Sequence, residues 1–317
     1  MVFVPARCAR GCGITAGWLA DVLFGDPRRG HPVALFGSAA AAVERLTYAD
    51  SRTAGALHTG ALLAGLAAAG VALTRAGVGG TATAVFVALG GTSLLRTGDA
   101  MAALLADDDV DGARRMLPSL CGRDPAALDA AGLTRAALES VAENTSDAQV
   151  APLLWAAVAG VPGVLVYRGA NTLDAMIGHK SPRYRRFGWA AARFDDLTNY
   201  VPARVTAVLT AACAPLVGGS PVGAIRAWRN DAARHPSPNA GVVEAAFAGA
   251  LGVRLGGPTQ YAHQLEIRPS LGDGPAPGVT DLTRAVRLSR AVQVAAALLA
   301  VGLTAVGRTG RRVSPRR

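Results

Sequence analysis

Five apolar segments, each close to the length of a membrane-spanning helix, constrain the fold of this 317-residue sequence more than any other feature. A helix needs about 20 predominantly apolar residues to cross a bilayer. The segments lie at about 56–74, 78–95, 150–167, 200–219 and 290–307. The first two are joined by a short link and predict a helical hairpin. Together the segments predict an all-α, polytopic helical integral membrane protein with long helical or irregular cytoplasmic loops.

The third apolar segment is interrupted. It contains Pro152, Gly160 and Pro162, which are residue types that break or kink a helix. Broken helices at membrane depth are tolerated where they are buried in protein or line a cavity. We therefore expect segment 150–167 to be broken or re-entrant.

The composition supports a membrane protein and excludes some functions. Hydrophobic residues make up 51% of the sequence, charged residues only 17%, and the mean hydropathy is +0.29, so we expect some apolar surface to face lipid. The formal net charge is +10, and nearly all of the positive charge is arginine. We predict no nucleic-acid partner, because the sequence has no zinc finger, aromatic RNA-binding motif or continuous basic helix. The positive charge fits anionic substrates and the cytoplasmic face of a membrane.

The domain organisation follows from this charge distribution. We expect residues 1–307 to form a single membrane-embedded domain, beginning with a retained apolar helix rather than a cleaved signal peptide. The last ten residues, 308–317, carry five arginines with proline and glycine. This composition predicts a disordered, basic tail on the cytoplasmic side of the cell membrane.

The first candidate site is the acidic stretch ESVAENTSDAQV at residues 139–150, directly before an apolar segment. Glu139, Glu143 and Asp147 are spaced four residues apart and would share one face of a helix, where like charges repel. A solvated acidic face explains this spacing, and so does a face held by a metal ion or by cationic groups of a substrate. Asn144 and the two hydroxyl residues after it can orient ligands, which favours a site.

The second candidate site is the polar region at residues 167–204, which mixes basic side chains with Asp and Asn. Carboxylate and amide oxygens suit Mg²⁺, and guanidinium groups neutralise phosphate oxygens. The region therefore indicates a magnesium–phosphate site, with a basic loop on anionic lipid as the alternative. The candidate residues are Arg168, Asn171, Asp174, Lys180, Arg183, Arg193, Asp195, Asp196 and Asn199.

Two proline-containing turns carry the remaining candidates. In GDPRRGHPV, residues 25–33, Asp26 and His31 are the polar side chains, although a turn alone explains the motif. In residues 230–257, His235, Asn239 and Glu244 surround a proline-rich turn that is followed by a helix start. A helix cap or an anion site at the helix N-terminus explains this second pattern.

Familiar catalytic motifs are absent from the sequence. It contains no P-loop, no GxSxG and no HExxH motif, and its four cysteines show no metal-ligand spacing. If the protein binds a nucleotide, it therefore uses an uncommon site.

Taken together, the four motifs resemble the CobD/CbiB family of cobalamin biosynthesis proteins. The resemblance rests on GDP…HPV, ESVAENTSDA, NTLDAMIGHKSPRYRRFGWAAARFDD with PAR after it, and HPSPNAGVVEAAFAGALGVRLGG, in this order. It covers roughly residues 13–307 and is less distinct after residue 258. Gln149 stands where the family pattern leads us to expect an aliphatic residue.

The resemblance implies the activity of adenosylcobinamide-phosphate synthase, a ligase that forms an amide. It would join adenosylcobyric acid, a corrinoid, to (R)-1-amino-2-propanol or its O-phosphate, with ATP and Mg²⁺. Phosphorylation of the carboxylate would give an acyl phosphate open to attack by the amine. A carboxylate acting as general base would keep that amine neutral.

The resemblance also implies roles for the candidate residues. Catalytic or general-base roles fall to Glu143, Asp147, Asp174, Asp195 and Asp196, and the last three are also candidate Mg²⁺ ligands. Phosphate binding falls to Arg168, Lys180, Arg183 and Arg193. Substrate binding falls to Asp26, His31, Asn144, Asn171, Asn199, His235 and Asn239.

Two other functions fit a polytopic membrane protein. One is a non-enzymatic scaffold that recruits other enzymes of the cobalamin pathway, and the other is a transporter with polar residues at broken helices. The polar residues cluster in long loops at membrane edges rather than within spans, which favours the enzyme. One active site would require side chains near 26–31, 143–147, 171–196 and 235–244 to line a single cavity.

Overall fold

The computed structural model describes residues 6–27, 30–179, 181–260 and 265–306. These residues form thirteen α-helices and one β-hairpin. The helices are α1 (Ala6–Phe24), α2 (Pro32–Thr47), α3 (Arg52–Thr74), α4 (Gly77–Ala88), α5 (Gly91–Ala106), α6 (Val110–Met116), α7 (Ala130–Thr145), α8 (Ala151–Leu173), α9 (Tyr184–Phe187), α10 (Trp189–Cys213), α11 (Pro221–Asp231), α12 (Ala240–Leu251) and α13 (Val279–Val306). The strands are β1 (Leu255–Gln260) and β2 (Leu265–Leu271).

Five helical segments are long and apolar enough to cross a membrane. They are Arg52–Thr74, Gly77–Ala106, Ala130–Gly178, Trp189–Val217 and Val279–Ala305. Each contains most or all of one of the five predicted apolar segments. The prediction of a helical, polytopic membrane protein is therefore confirmed.

The predicted interruption of the third segment is also confirmed. Helix α8 bends at Gly160, whose φ of 67° lies in the left-handed region. The break releases backbone carbonyls from the helical ladder, and such groups need another donor. Arg10 of helix α1 supplies one, because its Nη1 donates to the carbonyl oxygen of Ala157 at 3.1 Å.

Two π-helical turns flank helix α8. The turn Ser146–Val150 follows helix α7, and the turn Asp174–Gly178 follows helix α8. Such turns are rare and are frequently found at functional sites. Each contains a predicted site residue, Asp147 in the first and Asp174 in the second.

The chain divides into two compact units. Unit 1 comprises the described residues within Met1–Leu89, Pro152–Asp195 and Ala296–Arg317, and unit 2 comprises Gly90–Ala151 and Asp196–Ala295. In unit 1, an apolar core forms around Leu63, Leu173 and Phe187. Helix α3 passes so close to Phe187 that a side chain at Gly55 would collide with the Phe187 carbonyl oxygen.

Unit 2 is built around helix α12. Every residue of this helix is buried except the half-buried Gly249. Helix α11 packs along it, and helix α7 and both strands also contact it. A helix that is apolar on all sides belongs in a protein interior, so the patch at 241–257 forms the centre of unit 2.

The hairpin is the main departure from the all-helical expectation. Its strands are antiparallel, with Gly257 opposite Arg268 and Pro258 opposite Ile267. Glycine and proline disfavour strands, so the sequence alone gives little indication of β-structure here. Helix α7 supplies the missing support, because Arg135 donates to the carbonyl oxygens of Gly256 and Pro258, both at 2.6 Å.

Candidate functional site

Six charged or titratable side chains gather in unit 2 between helix α7, helix α12 and the hairpin. Helix α7 contributes two carboxylates, helix α12 contributes one, and two arginines and a histidine surround them. We call this group the glutamate cluster: Glu139, Glu143, Glu244, Arg123, Arg268 and His235.

Glu139 is fully engaged with protein groups. One of its oxygens pairs with the guanidinium group of Arg123, and both side chains are buried. The other oxygen accepts a hydrogen bond of 2.7 Å from the backbone N–H of Gly256. Burial opposes the charge of Arg123, but the attraction and hydrogen bond of Glu139 outweigh it and raise the pKa of Arg123. This pair stabilises the fold around the cluster.

Glu244, unlike Glu139, makes no hydrogen bond with the described residues. It is 1% exposed, and neither carboxylate oxygen has a hydrogen-bond partner among the described residues. The nearest cationic or titratable nitrogens are Arg268 Nη1 at 3.7 Å and His235 Nε2 at 3.9 Å from Oε1. Both distances exceed the length of a hydrogen bond. The carboxylate is therefore held among polar groups without being satisfied by them.

The electrostatic setting of the cluster favours uncharged forms of Glu244 and His235. Burial, followed by the negative charges of Glu139 and Glu143, raises the pKa of Glu244 well above its ordinary value. Burial, followed by the positive charge of Arg268, lowers the pKa of His235. Groups with such shifts are suited to exchange protons near neutral pH.

Glu143, a predicted catalytic residue, lies one helical turn from Glu139 and is half-buried. Arg268 and Arg123 are close enough to stabilise its negative charge. The predicted acidic face of helix α7 therefore exists, and two of its carboxylates belong to the cluster. The third, Asp147, is half-buried in the π-helical turn and is engaged with other groups.

The polar residues beside this acidic face contribute to packing. Asn144 donates to the carbonyl oxygen of Ser140 at 3.0 Å. Thr145 and Gln149 both bond the hydroxyl group of Ser289 on helix α13, at 2.7 and 3.1 Å. This contact explains a glutamine where an aliphatic residue was expected, because its amide satisfies a buried serine.

The turn before helix α12 places His235 in the cluster. The Nδ1 atom of His235 faces the backbone of Ser237, whose N–H lies 3.1 Å away. The Ser237 hydroxyl accepts from the N–H groups of Asn239 and Ala240 and so caps the helix. Of the two predicted roles for this turn, the cap is therefore present.

Asn239 joins helix α10 to this turn. Its Oδ1 accepts from Arg204 Nη1 at 2.9 Å, and its Nδ2 donates to the carbonyl oxygen of Asp196 at 2.7 Å. Both ends of the amide are thus used by the protein. Asn199, one turn along helix α10, is buried and also engaged.

In unit 1, Arg183 forms an ion pair with a buried carboxylate. Its Nη2 lies 2.9 Å from Glu44 Oε1, which also accepts from the hydroxyl group of Tyr184 at 3.1 Å. The guanidinium group stacks over the ring of Tyr48 at 4.0 Å. The hydrogen bond to Glu44 raises the pKa of Arg183, followed by the effect of Tyr184. Arg183 is exposed, so it remains accessible to an anion.

The motif at residues 25–33 is a helix start. His31 is the N-cap of helix α2, and its Nδ1 accepts from the N–H of Val33 at 3.1 Å. Its Nε2 lies 3.2 Å from Asp26 Oδ1. The two predicted residues are therefore brought together, with the histidine ring fixed at both nitrogens.

The remaining candidates lie along helices α8 and α10. Arg168 Nη1 is 3.4 Å from Asn171 Oδ1, and its buried Nε has no partner among the described residues. Asp174 is half-buried, Asp195 is buried and Arg193 is exposed. Lys180 lies outside the described residues. The candidates fall in both units, so a single shared cavity stays a prediction.

The predicted magnesium ligands are carboxylates of helix α10 and of the turn after helix α8. Within the described ranges, no three His, Cys, Asp or Glu side chains are arranged to hold a metal. The donors therefore do not form an all-protein cage. Mg²⁺ is commonly held by one or two carboxylates plus substrate phosphates. Asp174 is half-buried and Asp195 is buried, the Asn171 amide oxygen accepts from Arg168, and Asp174, Asp195 and Asp196 all stay predicted ligands.

Four residues with prominent contacts received no role from the sequence. Arg123, Arg268 and Glu44 lie outside the quoted motifs, and no local pattern marks them. Glu244 had a recognisable signal, because it is the only charged residue in an otherwise apolar twelve-residue helix. A buried charge in such a helix is rare without a partner or a function.

Comparisons with known proteins agree on one family. Residues 14–289 match the family described as CobD/Cbib protein. The chain is 68% identical over 307 residues to Cobalamin biosynthesis protein CobD of Mycobacterium tuberculosis, covering 95% of this chain and 98% of the relative. It is 45% identical to the protein of that name from Chromobacterium violaceum, covering 85% and 89%. For a Rhodobacter capsulatus protein of the same name the identity is 42%, covering 94% and 96%. No solved structure matches the chain.

Proposed function

The chain belongs to the CobD/CbiB family and takes part in cobalamin biosynthesis, and we propose that it is adenosylcobinamide-phosphate synthase. In this proposal it joins the carboxylate of adenosylcobyric acid to the amine of (R)-1-amino-2-propanol or its O-phosphate. ATP drives the reaction, and the product bond is an amide. The protein is then an acid–amine ligase.

The observation that most supports this proposal is the glutamate cluster. Amide formation needs a neutral amine as the nucleophile, because a protonated amine has no free electron pair. A buried carboxylate with a raised pKa is suited to take a proton at neutral pH. Glu244 provides such a group, and Glu143 adds a second carboxylate that is half-buried.

Activation of the substrate carboxylate is the other requirement. A carboxylate oxygen attacks the terminal phosphorus of ATP, ADP leaves, and an acyl phosphate results. Exposed arginines suit the phosphate groups, since guanidinium binds phosphate oxygens in a fork. Arg183 and Arg193 are exposed in unit 1 and fit this role. Magnesium held by Asp174 and Asp195 would neutralise phosphate charge during the transfer.

We assign the reaction to the cytoplasmic face of the cell membrane. The five apolar helices fit a multi-pass protein, and the arginine-rich C-terminal sequence is typical of a cytoplasmic end. ATP and the anionic corrinoid substrate are both available in the cytoplasm. Labelling of single introduced cysteines in intact cells and in inverted vesicles measures this orientation.

A reconstituted reaction tests the proposed function. The detergent-solubilised protein is supplied with adenosylcobyric acid, aminopropanol phosphate, ATP and magnesium, and the corrinoid products are separated by mass. We expect the amide product only when all of these components are present. Reactions that lack ATP or the amine are the controls.

The same experiment separates an enzyme from a scaffold. If the intact protein alone makes no amide but increases the activity of another pathway enzyme, the protein is a scaffold rather than the synthase. Folding of the solubilised protein is checked by circular dichroism and by elution as one species.

A further inference from the structure

Helix α12, at the centre of unit 2, contains one ionisable side chain, that of Glu244. All of its neighbours along the helix are apolar, and Glu244 is 1% exposed. Burial of a carboxylate without hydrogen bonds is strongly unfavourable. Both oxygens of Glu244 nevertheless lack a hydrogen-bond partner among the described residues. A group kept in this state calls for a ligand that satisfies it.

The sum of the charges in the cluster indicates the charge that this ligand must carry. The cluster holds three carboxylates and two guanidinium groups, and its histidine has a lowered pKa and is neutral at pH 7. The pair of Arg123 and Glu139 is complete in itself. Glu143 and Glu244 then face the single charge of Arg268. With Glu244 protonated, as its raised pKa favours, the cluster is neutral; when Glu244 ionises, the cluster has one negative charge in excess, which a bound monovalent cation would balance.

The distances around Glu244 indicate which kind of cation the cluster could bind. Arg268 Nη1 and His235 Nε2 lie 3.7 and 3.9 Å from Glu244 Oε1, which leaves the carboxylate oxygens available. A divalent metal usually requires several oxygen ligands, and the described residues provide no three-ligand group. A primary ammonium group, with three N–H donors, fits a site made of two carboxylates and a neutral histidine.

We propose that Glu244 binds the ammonium group of the aminoalcohol substrate and accepts its proton, and that Glu143 helps to hold the positive charge. This inference rests on the proposed function and names the amine subsite of that reaction. His235 acts as a positioning residue, because its ring lies against the Glu244 carboxylate.

The proton count is consistent with this role. The ammonium group transfers one proton to Glu244 and becomes a neutral amine. The amine nitrogen then attacks the acyl carbon, the C–N bond forms, and the C–O bond to phosphate breaks with its electron pair on oxygen. The second proton of the nitrogen ends on the departing phosphate. Glu244 returns its proton to solvent after the product leaves.

The variant Glu244→Gln tests the proposal, because it keeps the shape of the side chain and removes its charge and basicity. We expect amide formation from aminopropanol phosphate to fall on the order of 100-fold, the typical contribution of a general base. The matched control is Asp111→Asn, the same kind of change at an exposed carboxylate of helix α6, outside the cluster but in the same unit. We expect it to retain wild-type activity.

A second nucleophile distinguishes catalysis from structural damage. Hydroxylamine is largely unprotonated at neutral pH and needs no base. Glu244→Gln should therefore form the corrinoid hydroxamate from ATP and adenosylcobyric acid within about twofold of the wild-type rate, since activation of the acid is intact. If amide and hydroxamate formation fall equally, the proposal is wrong and Glu244 has a structural role.

The outcomes also separate this inference from the proposed function. A wild-type protein that makes no amide overturns the function and the inference together. A wild-type protein that makes amide while Glu244→Gln is fully active overturns only the inference. If Glu244→Gln does not fold, the variant Glu143→Gln is measured instead. It should raise the KM for the amine about tenfold with a smaller change in kcat, and an unchanged KM would contradict the role of Glu143.

Discussion

Glu139 on helix α7 accepts a 2.7 Å hydrogen bond from the backbone N–H of Gly256 at the start of the hairpin. Its other oxygen pairs with Arg123. The carboxylates of the glutamate cluster therefore have different tasks. Both oxygens of Glu139 bond to protein groups, whereas neither oxygen of Glu244 on helix α12 has a hydrogen-bond partner among the described residues. This division makes the two residues separable by mutation.

Replacement of Glu139 by Ala should destabilise the protein by about 3–5 kcal/mol, because it leaves the buried charge of Arg123 without a partner. Chemical unfolding of the solubilised protein, followed by circular dichroism, measures the change. A double variant, Arg123→Met with Glu139→Leu, removes both charges and should recover most of the loss. A loss below about 1 kcal/mol in the single variant would contradict a buried pair.

Glu244→Gln should have the opposite effect on stability. The raised pKa of Glu244 means that the folded protein retains a proton that the unfolded chain releases. Between the ordinary glutamate pKa and the raised one, the folded state binds one more proton, so stability falls as pH rises. The wild type should lose up to about 1.4 kcal/mol per pH unit relative to Glu244→Gln in this window.

Thermal unfolding of both proteins across this pH range measures the difference. Several groups set the field at this carboxylate and must be unchanged in both proteins: Glu139, Glu143, Arg123, Arg268, His235 and Glu266. A difference that does not vary with pH would show that Glu244 titrates normally.

Gly160 should be intolerant of any side chain. Its φ of 67° costs a non-glycine residue about 1–3 kcal/mol, and a Cβ would lie 3.1 Å from Arg10 Nη2. Gly160→Ala should therefore lower the thermal midpoint. Gly60→Ala in helix α3 is the matched control, since nothing lies within 4 Å of its Cβ position and alanine favours a helix. Equal midpoints for the two variants would contradict the kink.

Asp174→Asn should increase the magnesium concentration needed for half-maximal activity. The change removes a charged oxygen ligand but preserves the size of the side chain. A magnesium titration at saturating ATP measures the effect, and we expect a shift of about tenfold or more, equivalent to about 1.4 kcal/mol. A variant with the wild-type magnesium dependence and full activity would exclude Asp174 as a ligand.

The sequence predicted the membrane helices and the broken segment because both depend on local composition. Stretches of apolar residues define spans, and glycine beside proline defines a break. The hairpin was missed because Gly256, Gly257 and Pro258 have no strand preference of their own, and distant contacts from Arg135 and Glu139 hold them.

The candidate site was predicted only in part. Sequence motifs identified Glu143 and His235, but the carboxylate between them in the cluster, Glu244, received no role. Arg268 comes from a strand that the sequence did not predict. Conversely, Asn239 was expected to orient substrate, yet both ends of its amide bond to protein groups. Which polar groups are already satisfied depends on tertiary contacts, and these are not encoded in local spacing.

Transfer of heavy oxygen from the substrate carboxylate to phosphate tests whether the protein forms the amide through an acyl phosphate made with ATP. Adenosylcobyric acid labelled with heavy oxygen in the reacting carboxylate is incubated with the purified protein, ATP, magnesium and aminopropanol phosphate. We expect an amide product and one labelled oxygen in each inorganic phosphate released, because the bridging oxygen leaves with the phosphoryl group. No amide, or amide accompanied only by unlabelled phosphate, would contradict it.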